Sequence, residues 1–244
     1  MCPVCPSTSL DSWGESDNTS PVSESLLKTD PAVANRSVPA ERLAVYVDGF
    51  NLYHGLHDKW GRRYLWLDLT ALARAMRPRS DVISVTYFTA PVLGDPQAAS
   101  RQSSYIAALK AHSGGLLRDV QGRYQTKQRT CRRCGGSYTH YEEKETDVNI
   151  AVSLVADAAE GAMDAALIVS ADSDLSPAIK TARRLRPDIF IAAAFPPKRF
   201  SNELKTLMPS SFHIGHSSIR SAQLPEVVTD PRTGASWKRP GKWA

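Results

Sequence analysis

Leu43-Ala44-Val45-Tyr46-Val47-Asp48-Gly49 decides the fold. An apolar, partly β-branched run this short reads as a strand buried on both faces. It ends on an acid and a glycine. A second such run, Ala165-Ala166-Leu167-Ile168-Val169-Ser170, ends on Ala171-Asp172-Ser173-Asp174. Between the two, Asp147 opens an apolar-periodic helix. Carboxylates are rarely buried unless paired or bound to a metal. Acids delivered at strand ends and at a helix start point to a divalent-cation site at the carboxyl edge of a parallel sheet, where such sheets bind ligands.

Outward from these runs, strands and helices alternate. The pattern predicts strands over residues 43–47, 82–89, 165–170, 189–194 and 212–214, and helices over 68–76, 96–111, 147–159, 175–185 and 199–207. Pro78 and the Gly114-Gly115 pair stop two of the helices, and Pro177 falls in a first turn, where its missing N–H costs little. In the helix opened by Asp147, the residues Val148, Ala151, Val152, Val155 and Ala159 share one face, expected to be apolar and buried. Residues 116–121 and 123–129 read as a strand pair turning at Gly122. The alternation implies an α/β fold with a mostly parallel central sheet and helices on both faces.

The chain has 244 residues, a net charge of +5 and 42% hydrophobic residues, enough for a real core. No stretch approaches the ~18 apolar residues of a membrane span, so no membrane partner is expected. Met1-Cys2-Pro3-Val4-Cys5-Pro6 has neither the basic nor the apolar region of a secretory signal. Four cysteines in a chain of this length do not make a disulfide scaffold, and a reducing, cytoplasmic setting is expected. Residues 1–40, rich in Ser, Thr, Pro and Asp and net −3, read as a disordered leader. A folded domain is expected over 41–217. Residues 218–244, punctuated by Pro and Gly, read as a flexible tail. Charge concentrates in residues 116–135, where Arg118, Arg123, Lys127, Arg129, Arg132 and Arg133 stand against Asp119 alone. A basic run beside a carboxylate site suits a phosphodiester substrate.

Three segments carry the chemistry. Val45-Tyr46-Val47-Asp48-Gly49-Phe50-Asn51-Leu52-Tyr53 puts Asp48 and Asn51 after the first strand, with Gly49 allowing a tight turn. Glu143-Lys144-Glu145-Thr146-Asp147-Val148-Asn149-Ile150-Ala151 leads into the helix. Leu167-Ile168-Val169-Ser170-Ala171-Asp172-Ser173-Asp174-Leu175 carries an acid pair; Ser173 or Asp174 would serve as a helix cap, and one acid suffices for that. In order and spacing the three resemble the motifs of NYN domains, which are PIN-like nucleases also grouped with the LabA-like proteins. The resemblance runs from about Arg42 to His216. It implies a Rossmann-like PIN fold with a Mg²⁺- or Mn²⁺-dependent acidic site. The family acids fall on Asp48, Asp147, Asp172 and Asp174, and the family Asn on Asn51. Many members carry a further Asp where this chain has Ser153.

The implied activity is (endo)ribonuclease: hydrolysis of RNA phosphodiester bonds by metal-activated water at the Asp cluster. Asn51 and Ser170 would position the scissile phosphate or a metal-bound water, and Arg123, Lys127 and Arg129 would hold the RNA strand, single or structured. The alternative is an RNA-binding or regulatory module with weak or no catalysis, favoured by Ser153 and the basic hairpin. A haloacid-dehalogenase-type phosphotransferase needs a second Asp two residues after the first, and position 50 is Phe. His54 and His57 read as helix-surface residues. Cys131-Arg132-Arg133-Cys134-Gly135-Gly136, in the hairpin inserted over 116–143, resembles half a structural zinc knuckle. His140, Glu142, Glu143, or the Cys2/Cys5 pair are candidates for the remaining Zn²⁺ ligands.

Overall fold

The computed structural model describes residues 40–130 and 136–243, and of residues 138 and 140–143 the backbone alone. The first buried run forms β1 (Arg42–Asp48), followed by α1 (Gly49–Trp60), α2 (Leu69–Met76), β2 (Asp81–Thr89), α3 (Pro96–His112) and β3 (Leu117–Gln121). Then come β4 (Arg123–Thr130), β5 (Ser137–Lys144), α4 (Thr146–Ala159), β6 (Ala165–Val169), α5 (Ser176–Leu185) and β7 (Phe190–Phe195). The chain closes with α6 (Asn202–Leu207), β8 (Phe212–His213), α7 (His216–Ser221), β9 (Val227–Thr229) and β10 (Ser236–Lys238). The expected leader through residue 39, the four cysteines, and the side chains of His140, Glu142 and Glu143 lie outside the described residues.

The sheet runs β3-β2-β1-β6-β7-β8, with each neighbouring pair parallel. From β1 the chain builds outward through β2 and β3, then returns to place β6, β7 and β8 on the other side. The reversal falls between β1 and β6, and such a switch point opens a crevice beyond the carboxyl ends of the strands.

Side chains alternate across β1, so its residues divide between two cores. Leu43, Val45 and Val47 pack with Leu52 and Leu56 of α1, Leu72 of α2 and Leu109 of α3. Ala44 and Tyr46 pack on the opposite face with Ile150 and Leu154 of α4, Ile179 of α5 and Leu204 of α6. The helices start at side-chain caps: Asp68 accepts from the amides of Thr70 and Ala71, and Asp95 from that of Ala98, with Pro96 at the first helical position.

Three expectations are corrected. Residues 116–121 and 123–129 do not pair with each other. β3 joins the sheet edge beside β2, with Leu117 buried, while β4 leaves it and pairs antiparallel with β5. Gly122 separates the two, and its amide donates to the Thr89 carbonyl.

The buried face of α4 is not the valine face. Ile150, Leu154 and Ala158 meet the sheet, while Val148 and Val152 are each 61% exposed. Both stripes have helical spacing, and the longer Ile and Leu side chains take the interior because they bury more apolar area.

Residues 218–243 are not a loose tail. Ile219 of α7, Val228 of β9 and Trp243 are buried in the core that covers the α1–α3 face. The β9–β10 hairpin turns at Asp230-Pro231-Arg232-Thr233-Gly234, where Asp230 accepts from the Arg232 amide and the Thr233 hydroxyl.

Candidate active site

Asp48 stands at the switch point, 3% exposed. It is the N-cap of α1: Oδ1 accepts from the amide of Asn51 at 2.9 Å. Its Oδ2 accepts from the hydroxyl of Ser170 at 2.8 Å. Ser170, fully buried, follows β6, the neighbour of β1. The Ser170 oxygen in turn accepts from the amide of Asp172 at 3.1 Å. Asn51 reaches the same loop, its Oδ1 accepting from the amide of Ala171 at 3.2 Å. One network thus ties the end of β1 to the end of β6, using Asp48, Asn51, Ser170 and Asp172.

Asp172, not Ser173 or Asp174, caps the turn that follows: its Oδ1 accepts from the Asp174 amide at 2.9 Å. Asp48 and Asp172 therefore each have a capping duty that the strand-end position alone did not suggest. Asp174 is exposed on the one-turn helix Ser173–Leu175. Asp147 is exposed in the first turn of α4, which packs against that turn and against β1. Among the described residues, no three His, Cys, Asp or Glu side chains are grouped to hold a metal ion. Ser153 is half-buried, and the next acid of α4, Asp157, accepts instead from the Tyr46 hydroxyl at 2.6 Å.

Burial pushes the Asp48 carboxyl upward. The hydrogen bonds from Asn51 and Ser170 oppose the rise, and the charge of Asp172 adds to it. A buried carboxylate held beside a second acid is a site that favours a cation. Mg²⁺ needs only one or two carboxylates besides water and substrate phosphate, so Asp48 and Asp172 fit it.

Gly49 does not supply a left-handed turn, since its φ is not positive. It supplies a close approach. A Cβ there would lie 2.6 Å from the Phe88 carbonyl and 2.9 Å from the Tyr87 ring. The start of α1 presses directly onto the end of β2. Glu145, by contrast, has φ 81° just before α4 and pairs with Arg123 of β4. A non-glycine residue held there costs of order 1–3 kcal/mol.

The basic residues divide. Arg118 donates to the Thr86 hydroxyl at 2.9 Å, so it belongs to the sheet. Arg123, Lys127 and Arg129 alternate along β4 and share one face of the β4–β5 ribbon, opposite Tyr124. His54 is exposed and His57 half-buried on α1, on either side of Tyr53, which stacks on His57 at 5.6 Å. Sequence reasoning missed a cavity of about 320 Å³ beside Asp48, lined by α1, the end of β2, α3, Tyr124 and Trp243. Its signal was present but scattered: an aromatic from each of five separate segments.

A parallel sheet covered on both faces, with carboxylates at its switch point, defines a PIN-like α/β protein. The NYN domain model matches residues 42–214, and the chain belongs to the NYN family, whose domains are nuclease-like. A relative from Pseudomonas putida, 6-hydroxy-3-succinoylpyridine 3-monooxygenase HspA, is 28% identical, over 77% of this chain and 71% of its own. A crystal structure of a protein of unknown function, VPA0982 from Vibrio parahaemolyticus, matches with a TM-score of 0.49 and 19% identity, covering 75% of this chain and 98% of its own.

Proposed function

We infer that the chain is a divalent-metal-dependent ribonuclease, with Asp48 and Asp172 as the residues that hold the ion. The observation that carries this is Asp48: a buried carboxylate at the switch point, shared with Ser170 and repelled by Asp172. When bound, Mg²⁺ or Mn²⁺ would offset charge on the phosphate and make water more acidic. The chain's own part is to fix that place. Ser170 and the Asn51 amide hold the two Asp48 oxygens in one orientation. The Asn51 side chain holds the Ala171 amide, and with it the loop that carries Asp172. Arg123, Lys127 and Arg129 on one face of the ribbon supply charge for the RNA backbone. Asp147 and Asp174, on the neighbouring elements, are the further acids of this proposal.

The test incubates a labelled RNA panel with the protein in Mg²⁺, Mn²⁺ or EDTA. Cleavage in metal, lost in Asp48→Asn and Asp172→Asn, is the expected result. RNA retained in EDTA but left intact in metal would make the protein a binding module instead.

A second reading follows from the aromatic cavity. The Pseudomonas putida relative is named for a hydroxypyridine substrate, and a cavity of about 320 Å³ lined by aromatic rings suits a small heteroaromatic acid. Chemistry on such a free ring would leave the RNA panel untouched.

Among the described residues no helix is long and apolar enough to cross a membrane.

A further inference from the structure

The cavity beside Asp48 begins at the residues that follow it, Gly49 and Phe50. Tyr87 and Thr89 at the end of β2, the strand whose Phe88 is in register with Asp48, line it next to the start of α1. Cavity and carboxylates therefore share one edge of the sheet, one strand apart. About 320 Å³ is ample for a ring system, since benzene fills an engineered cavity of ~150 Å³.

The lining is aromatic and comes from distant parts of the chain. Phe50 and Tyr53 come from α1, Tyr87 from β2, Tyr105 from α3, Tyr124 from the β4–β5 ribbon, and Trp243 from the C-terminal segment. The inner rings are fixed. The Tyr105 hydroxyl donates to the Leu67 carbonyl at 2.7 Å, and Trp243 meets the Tyr105 ring edge-on at 5.7 Å. Tyr53 stays partly open at the rim, braced against His57. Rigid inner rings with one open at the rim are suited to stacking.

Besides His54 and Arg62 on the α1 side, the polar side chains sort into two kinds. Gln102 spends both ends of its amide on the cavity's own loop, bonding Val92, Ala90 and Thr89. Asp95 and Arg101 face each other at 3.9 Å, too far for a tight pair. An acceptor and a donor fork on one wall of an aromatic cavity can read the edge of a polar heterocycle.

We propose that this cavity binds one planar heteroaromatic ring, with Tyr53 stacking on it at the rim and Arg101 and Asp95 reading its edge. The ring is a nucleobase of the strand whose phosphate lies at Asp48 and Asp172, or a free heteroaromatic acid of the same size. The proposal rests on the reading of that crevice as the place of chemistry, but ring binding itself needs neither metal nor turnover.

The experiment is calorimetric titration in EDTA with the four nucleoside 5′-monophosphates and with 6-hydroxypyridine-3-carboxylate. Wild type should bind at least one of these saturably. Ala98→Trp, which fills the cavity from the surface of α3, and Tyr53→Ala, which removes the rim ring, should each weaken binding about tenfold or more. Val152→Lys, on the exposed face of α4 and away from the cavity lining, should bind as wild type does. Binding of a monophosphate, together with loss of oligonucleotide affinity when one base is made abasic, assigns the ring to the RNA strand. Binding of the pyridine alone assigns it to a free substrate. No saturable binding of any probe, or binding unchanged in both variants, overturns the proposal. If rings bind and RNA is never cut, the cavity stands and the ribonuclease reading falls.

Discussion

The hydroxyl of Ser170 donates to Oδ2 of Asp48 at 2.8 Å, joining the carboxyl ends of β1 and β6 across the middle of the sheet. Both residues are buried, so neither side of this bond competes with bulk water. The bond fixes which lone pairs of Asp48 remain for a cation.

Ser170→Ala removes that constraint and leaves the Asp172 amide without its acceptor. Partners of this kind around a metal ligand change affinity or activity about 10- to 100-fold. Mn²⁺ affinity, measured by titration, should fall by that order, and RNA cleavage with it. Ser170→Thr, which keeps the hydroxyl, should recover part of the loss. Equal Mn²⁺ affinity in wild type and Ser170→Ala would remove Ser170 from the site.

Asp48→Asn separates stability from function. The fold raises the Asp48 carboxyl above its unfolded value of about 3.9, so folding favours its protonated form. That contribution is full below the unfolded value and is lost as the pH climbs through the folded one. At pH 7 without metal, burying the Asp48 carboxyl is therefore a cost. Asn caps a helix as well as Asp and never ionises. In EDTA, the variant should melt above wild type at pH 7, and the gap should close toward pH 3.5. Added Mn²⁺ should raise the melting temperature of wild type only. A variant that melts lower at pH 7 would count against burial as the dominant influence on Asp48.

Gly49→Ala tests the contact between α1 and β2. The new Cβ would sit 2.6 Å from the Phe88 carbonyl, a backbone atom that cannot step aside cheaply. Overpacking of this kind costs about 1–3 kcal/mol, and urea unfolding should show it as a lower midpoint with an unchanged slope. The same displacement moves the cap residue Asp48, so cleavage should fall even where the variant is fully folded.

How much of this was legible depends on where each element gets its stability. Residues 43–47 of β1 and Ala165–Val169 of β6 are apolar and buried on both faces, so composition alone located them, and with them Asp48 and Asp172. α4 was placed but turned wrongly, because its valines repeat at the same spacing as Ile150, Leu154 and Ala158. Period alone does not choose between two apolar stripes. The Gly122 strands were found but wrongly paired, because β5 is polar along its length and its pairing with β4 is settled by the backbone ladder. The cavity was missed because its rings come from five separate segments and are gathered only by the fold. The C-terminal segment was misread because Pro and Gly dominate it, although Val227-Val228-Thr229 and Ser236-Trp237-Lys238 flanking an Asp-Pro…Gly turn form a hairpin signal.

The α4 correction makes a paired prediction. Ile150 is fully buried against the sheet, so Ile150→Ala should cost about 2–5 kcal/mol. Val152 is 61% exposed, so Val152→Lys should change stability by no more than about 0.5 kcal/mol. Had the valine stripe been the buried one, the order would reverse, because a lysine inside the core would be ruinous. Denaturant unfolding of the two variants side by side decides the face.

Trp243 makes the corresponding test for the C-terminal segment. It lies 8% exposed, against the Tyr105 ring at 5.7 Å and the Trp66 ring at 6.2 Å. A flexible tail would contribute nothing to the melting of the domain. A docked Trp contributes transfer energy and fills space, so Trp243→Ala should cost about 3 kcal/mol. It should also open the cavity beside Asp48, of which Trp243 is one wall. Thermal melting gives the first effect. The second appears as weaker ring binding at a temperature where the variant is fully folded. A melting temperature equal to that of wild type would mean that residues 227–243 do not hold to the domain in solution.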